Sequence, residues 1–499
     1  MNPLERLEHL QKIVEDALPG LDLTAEQKQA VRERAAQRKT PKKKKYWWAL
    51  AMPVVTAAIV CAVVVPVSQR SLREVAGSMA PIDVTDLMTE ISPSQPLAEQ
   101  GEVLFGSVPA AGSSQELDMA ASQKGSHMET AQDQTGFEQA TMEFSLGLLR
   151  ESLKPTENTL ISPASAALVL GMTANGTSGN TLTQFLDVLG QGELSLEQMN
   201  QSYLDWRQRL ESDEEQAVLT IANSIWFAKG FSVKETFLHT NAEYFDAGAY
   251  QLDFSQTSAV QRMNAWVSEH TKGKISSLMD EVDPAAQMYL INAVFLKMNW
   301  QTPFSESTTK PMEFHSADGT VATVDFMYGV DHYLQNDRAQ GIKKAYSNSN
   351  YQFVAVLPKE GISLTEYLST LTAGEFLDLV GQEQGVAEYE LPKFKVEGEH
   401  RLNEPLQAMG LTEVFGASAD FSSLSSEADG LYLDEVVQKA VFSIDETGTE
   451  AAAGTYAGIS RMSMPVATCR LTFDRPFLFA VLDESGLPVF LGTVENPNP

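Results

Sequence analysis

Asp445–Pro465 reads DETGTEAAAGTYAGISRMSMP. The runs on either side, Val436–Ile444 (VVQKAVFSI) and Leu471–Asp483 (LTFDRPFLFAVLD), are rich in β-branched and aromatic residues and read as strands. The quoted stretch of 21 residues between them is poor in bulky apolar side chains and punctuated by Gly448, Gly454 and Gly458. A structureless connection of that length inside a compact domain is usually functional; a plain surface loop is the other reading. Its parity carries a second signal. In an extended chain, Thr449, Ala451, Ala453, Thr455, Ala457 and Ile459 share one face, which is small, uncharged and free of proline. Glu450 falls on the opposite face. The loop is written to be exposed, yet it could be buried as a strand, gaining ladder hydrogen bonds and side-chain burial together.

Working outward, Val218–Phe227, Met288–Lys297, Tyr351–Leu357 and Gln438–Ile444 also read as strands, and Phe144–Leu149 and Ser162–Leu170 as helical segments. Ser162-Pro163 supplies a cap followed by a helix-compatible proline. Helices and strands mix without regular βαβ alternation, which predicts an α+β domain with largely antiparallel sheets.

The chain has 499 residues and a net charge of −30, unevenly spread. Residues 1–45 carry 11 basic and 7 acidic side chains, whereas residues 134–499 carry 22 basic and 49 acidic. So acidic a surface excludes nucleic acid as a partner and gives no basic stripe for a polyanion. With two cysteines, Cys61 and Cys469, no disulfide framework is expected.

Trp47–Val67 is uncharged over 21 residues. As a helix it would be roughly 31 Å long, matching a hydrocarbon core of about 30 Å. Lys42–Lys45 and the aromatic group Tyr46, Trp47 and Trp48 precede it. The expectation is a single transmembrane helix within residues 46–70, with residues 1–45 cytoplasmic and the rest outside. A cleaved signal peptide fits poorly behind a 45-residue polar leader, and a buried core helix fits poorly beside the Lys run. The leader places Leu4, Leu7, Leu10, Val14 and Leu18 at helical spacing, followed by a capping-box signature at Thr24 and Gln27. Residues 71–133, rich in Ser, Gly, Pro, Gln and Ala and acidic overall, read as a flexible linker spanning roughly 45 Å. Residues 134–499 form the main domain.

The region from about residue 134 to the C-terminus resembles the serpins. The hinge Glu446-Thr447-Gly448-Thr449-Glu450-Ala451-Ala452-Ala453 and the preceding Lys439–Asp445 are similar to the family's. So, in family order, are Asn158–Leu170, Asn264–Ile275, Ile291–Phe304, Glu390–Glu397 and Asp474–Pro497. The resemblance implies the serpin fold: a large central sheet, further sheets, surrounding helices and an exposed reactive-centre loop. It implies a suicide inhibitor of serine, or cysteine, endopeptidases. The protease cleaves the loop as an acyl-enzyme, the loop inserts into the sheet, and stored strain traps the protease. The serpin contributes no catalytic residue.

Family spacing from Glu446 puts the scissile bond at Met462-Ser463, with Arg461-Met462 as the alternative. Met462 would suit chymotrypsin-, elastase- or subtilisin-like enzymes, and Arg461 trypsin-like ones. Trp300 and Lys393 match the breach, where the loop enters the sheet and where Glu446 should pair with Lys393. Ser162, Ser165 and Asn292 match the shutter beneath it. The family's shutter histidine is Gln438 in this chain, so no histidine-based pH response of the shutter is expected. The resemblance implies a protease partner; a monomer with no metal and no cofactor is expected, and residues 47–67 are expected to meet the membrane by their composition. A non-inhibitory serpin acting as a binding or structural ectodomain is the alternative. An enzyme is disfavoured: G-x-S-x-G, H-E-x-x-H and Cys/His metal spacings are all missing from the sequence.

Overall fold

A computed structural model describes residues 55–64, 103–105, 131–154, 156–210, 212–214, 217–382, 384–449, 467 and 469–498. Two sheets form its frame. The first contains β1 (Val55–Val64), β2 (Val103–Phe105), β4 (Ser212–Glu214), β5 (Ala217–Ala228), β6 (Ala247–Leu252), β7 (Ala286–Asn299), β13 (Phe394–Arg401), β14 (Tyr432–Ile444) and β15 (Gly448–Thr449). Its strand order is β13-β14-β1-β7-β5-β6-β2, with β15 beside β7 and β4 beside β5. The second contains β3 (Thr159–Ile161), β8 (Lys310–His315), β9 (Val321–Gln335), β10 (Ala339–Ala345), β11 (Gln352–Pro358), β12 (Val386–Pro392), β16 (Cys469–Thr472), β17 (Phe477–Leu482) and β18 (Pro488–Val494).

Most pairings are antiparallel; β5–β6 and β12–β16 are parallel. β14 and β7 also run parallel to each other, because each is antiparallel to β1 between them. Nine α-helices are described, among them α1 (Ala131–Ser152), α2 (Pro163–Ala174) and α6 (Ser258–His270).

The four strands read from sequence lie within or closely overlap β5, β7, β11 and β14. All twelve residues of α2 are buried, which explains a segment apolar on every side. Ser162 caps it by accepting the Ser165 N–H, and Pro163 occupies its first turn. The core between the sheets is an aromatic column: Phe442 of β14 lies 4.7 Å from Phe479 of β17, with Phe394 and Phe353 beside them.

Two segments that the sequence places outside the main domain contribute strands to the first sheet. Val55–Val64 is a ten-residue strand between β14 and β7, and no described helix is long and apolar enough to cross a membrane. The physical reason is that an uncharged run with Val55, Thr56, Ile59, Val60, Val63 and Val64 lacks a distinguishing period. A bilayer helix and a strand hidden between two neighbours accept the same composition. Within the linker, Val103–Phe105 pairs with β6. The leader, the rest of 46–70 and the remainder of 71–130 lie outside the described residues.

Candidate functional site: the upper end of the central sheet

β14 ends at Ile444, and the chain turns through Asp445–Thr447 to run back along β7. Asp445 shapes this turn: its Oδ1 accepts the Thr447 N–H and hydroxyl, each at 2.8 Å, and the Gly448 N–H at 3.2 Å. Gly448 and Thr449 then pair with Asn299 and Met298. Only glycine fits at the first of these, because a Cβ on Gly448 would lie 2.3 Å from the Met298 carbonyl oxygen. The β7–Trp300 segment holds the turn through its backbone. Trp300 N–H donates to Thr447 O at 2.9 Å and Phe304 N–H to Glu446 O at 2.8 Å. The Trp300 indole N–H donates to Asp445 O at 2.9 Å.

The Glu446 side chain is largely buried and takes two donors on one oxygen: Lys393 Nζ at 2.7 Å and Thr309 Oγ1 at 2.8 Å. Burial pushes this carboxyl up, but the bonds from Lys393 and Thr309 outweigh it and hold it below its ordinary value. Trp300 stacks on Tyr346 with centroids 4.6 Å apart, and the Tyr346 hydroxyl lies 2.8 Å from Thr449 Oγ1. Beneath them the buried Lys344 ammonium sits 4.4 Å from the Phe304 ring and 3.0 Å from Asp331, which also accepts from Tyr389. Burial pulls the Lys344 ammonium down, and Asp331 only partly offsets this.

Lower in the same sheet, Ser162, Ser165, Asn292 and Gln438 meet in one fully buried network. The Ser165 hydroxyl donates to Asn292 Oδ1, and Asn292 Nδ2 donates to Asn223 Oδ1 at 2.8 Å. Ser162 Oγ donates to Val489 O at 2.8 Å. Gln438 grips the Ser162 backbone with both amide atoms: Oε1 accepts its N–H at 3.1 Å, and Nε2 donates to its carbonyl at 3.0 Å. A histidine nevertheless reaches this region. His400 is the direct antiparallel partner of Gln438, so both side chains lie on one face. It is buried, and its Nε2 has no hydrogen-bond partner. Burial and the nearby Lys154 lower its proton affinity, against the Leu160 backbone and Glu157.

Sequence reasoning missed Thr309, Tyr346, Asn223 and His400. Asn223 carried a usable signal, since a lone amide inside the apolar run Val218–Phe227 must find a buried partner. Tyr346, in Ala345-Tyr346-Ser347, carried none. Glu450, Ala451, Ala452, Ala453, Arg461, Met462 and Ser463 lie outside the described residues.

The chain therefore has an α+β frame of two nine-stranded sheets, with a two-residue hinge strand paired to β7. The profile of the serpins, serine protease inhibitors, matches residues 139–497. Iripin-5 of Ixodes ricinus is 31% identical over 356 residues, covering 68% of this chain and 90% of that protein. The human protein Z-dependent protease inhibitor is 31% identical over 371 residues, covering 72% and 82%. The native-state crystal structure of the thermophilic serpin tengpin superposes with a TM-score of 0.69 at 36% identity, covering 80% of this chain and all of that one. The chain belongs to the serpin family, and its class is that of serine protease inhibitors rather than of enzymes.

Proposed function

We propose that this serpin inhibits an extracellular serine, or cysteine, endopeptidase irreversibly. A protease attacks the loop at Met462-Ser463, or at Arg461-Met462, and the freed loop inserts beside β7. The observation that carries this reading is the hinge register. Gly448 and Thr449 already pair with Asn299 and Met298. Continued by two residues, that ladder would bring Glu450 opposite Lys297 and Ala451 opposite Leu296. The sequence beyond offers the small, uncharged face that such a strand requires. The test is a panel of chymotrypsin-, elastase-, subtilisin- and trypsin-like enzymes incubated with residues 131–499. A covalent complex of summed mass on a denaturing gel is expected, and sequencing the released peptide identifies the bond. Loop cleavage with neither a complex nor lost protease activity would overturn it.

We further propose that residues 47–67 anchor the chain as a single pass, with residues 1–45 cytoplasmic and the inhibitor domain displayed outside. The length, the preceding Lys42–Lys45 and the aromatic flank support this reading. Protease shaving of intact cells should release the domain; retention on accessible cells would exclude this topology.

One observation favours the second reading, a non-inhibitory binding or structural ectodomain. Val55 pairs with Leu296, the position Ala451 would take, and β1 continues down β7 from there. With β1 in place the central sheet is complete without the loop. Inhibition therefore requires this segment to be elsewhere, and the bilayer is the place its composition suits.

A further inference from the structure

We propose that Tyr346 is a positioning residue for loop insertion: its hydroxyl captures Thr449 and holds the hinge at the head of the slot beside β7. This rests on the inhibitory reading and adds a residue to it. Tyr346 is fixed on three sides. Its ring stacks on Trp300 at 4.6 Å and 13°, and it bridges Trp300 across the backbone. Its N–H donates to Tyr351 O at 3.2 Å. Its side-chain hydroxyl meets Thr449 Oγ1 at 2.8 Å. Both side chains are buried, Thr449 completely, so neither hydroxyl has water as a substitute partner.

The position gives the bond its consequence. Thr449 is the last described residue of the hinge, and its side chain lies on the face that parity assigns to burial. A loop that must insert before its acyl-enzyme is hydrolysed starts from whatever is already docked. Fixing the first residues is the slow, entropically opposed part of adding a strand, and each later residue adds a ladder bond. The Tyr346 bond has those first residues in place before cleavage. Burial pushes the Tyr346 phenol well above its ordinary value, so it keeps its proton and can donate throughout the neutral range.

Two measurements on the full-length chain test this. Native-state hydrogen exchange over Glu446–Thr449 reads docking without any protease. Tyr346→Phe and Thr449→Val should each speed exchange there about tenfold, the double variant no more than either, with β7 unchanged. Thr449→Ser, which keeps the hydroxyl, should match the wild type. Against a protease that forms the covalent complex, Tyr346→Phe should raise the moles of serpin consumed per protease several-fold at an unchanged rate of loop cleavage. Unchanged exchange in Tyr346→Phe, or additive effects of the two substitutions, would overturn the proposal. So would a lower Tm with unchanged stoichiometry. If the wild type forms no complex with any protease, the inhibitory reading falls, while the exchange result still decides whether Tyr346 docks the hinge.

Discussion

Lys393 Nζ lies 2.7 Å from Glu446 Oε1, and that same oxygen accepts the Thr309 hydroxyl at 2.8 Å. The pair joins the one-residue link between β12 and β13 to the turn after β14, so one carboxylate ties the hinge to its neighbours. Lys393 is partly exposed, which limits its Coulomb contribution; the loss on deletion comes mainly from stranding a largely buried carboxylate or its donors. Glu446→Gln should lower the Tm of uncleaved protein by several degrees at pH 7, equivalent to about 1–3 kcal/mol. The folded-state carboxyl sits below its ordinary value, so its stabilisation is present above about pH 4.5 and is lost as pH falls through the folded-state value. The gap between wild type and variant should therefore narrow below pH 4.5 in thermal melts. A gap that stays constant to pH 3 would contradict this account.

Gly448→Ala should undock the hinge. The added Cβ would meet the Met298 carbonyl oxygen at 2.3 Å, and backbone cannot move aside cheaply in a sheet. The expected outcome is a shift from inhibition towards turnover, with cleaved serpin accumulating over covalent complex on denaturing gels. A wild-type ratio would show that pairing at this position is dispensable.

His400 brings a titrating group to the face of Gln438 that the sequence did not lead us to expect. The charged and polar groups facing it are Lys154, Glu157 and the Leu160 backbone. Its folded-state proton affinity is lowered, so below about pH 6.5 the unfolded chain takes up a proton that the folded chain resists. The stability present at neutral pH is thus lost as pH falls from 6.5 towards the depressed folded-state value. His400→Gln should flatten the fall in Tm between about pH 7 and pH 5 by several degrees. Parallel curves for the two proteins would remove His400 from the pH response.

If the cleaved loop inserts as proposed, it and β1 compete for one position beside β7. Ile59 pairs with both Gln438 and Asn292, in the middle of the buried network. Full-length protein in lipid-free buffer should therefore inhibit at least about tenfold more slowly than residues 131–499, and should gain little Tm on loop cleavage. Reconstitution into bilayers should restore inhibition. Equal rates in all three preparations would show that β1 does not occupy the slot during the reaction.

Much of this molecule was legible in the chain. Strand density flanking Asp445–Pro465 and the small uncharged parity of Thr449–Ile459 pointed to an α+β domain with a loop able to become a strand, and the ordered motifs added the resemblance to serpins. Local composition carries the first part, because strand burial and loop exposure impose different residue types. The grouping of Glu446 with Lys393, and of Ser162 with Asn292, came from motif resemblance; their distances and partners needed the fold. Thr309, Tyr346, Asn223 and His400 were out of reach for a different reason. Each is defined by what lies opposite it on a strand distant in sequence, and register across a sheet is a tertiary property. Val55–Val64 shows the limit most clearly. The sequence determined that this run must leave water. Only tertiary structure offers it a place in the sheet, because β7 and β14 present facing backbone groups that an uncharged extended segment between them satisfies.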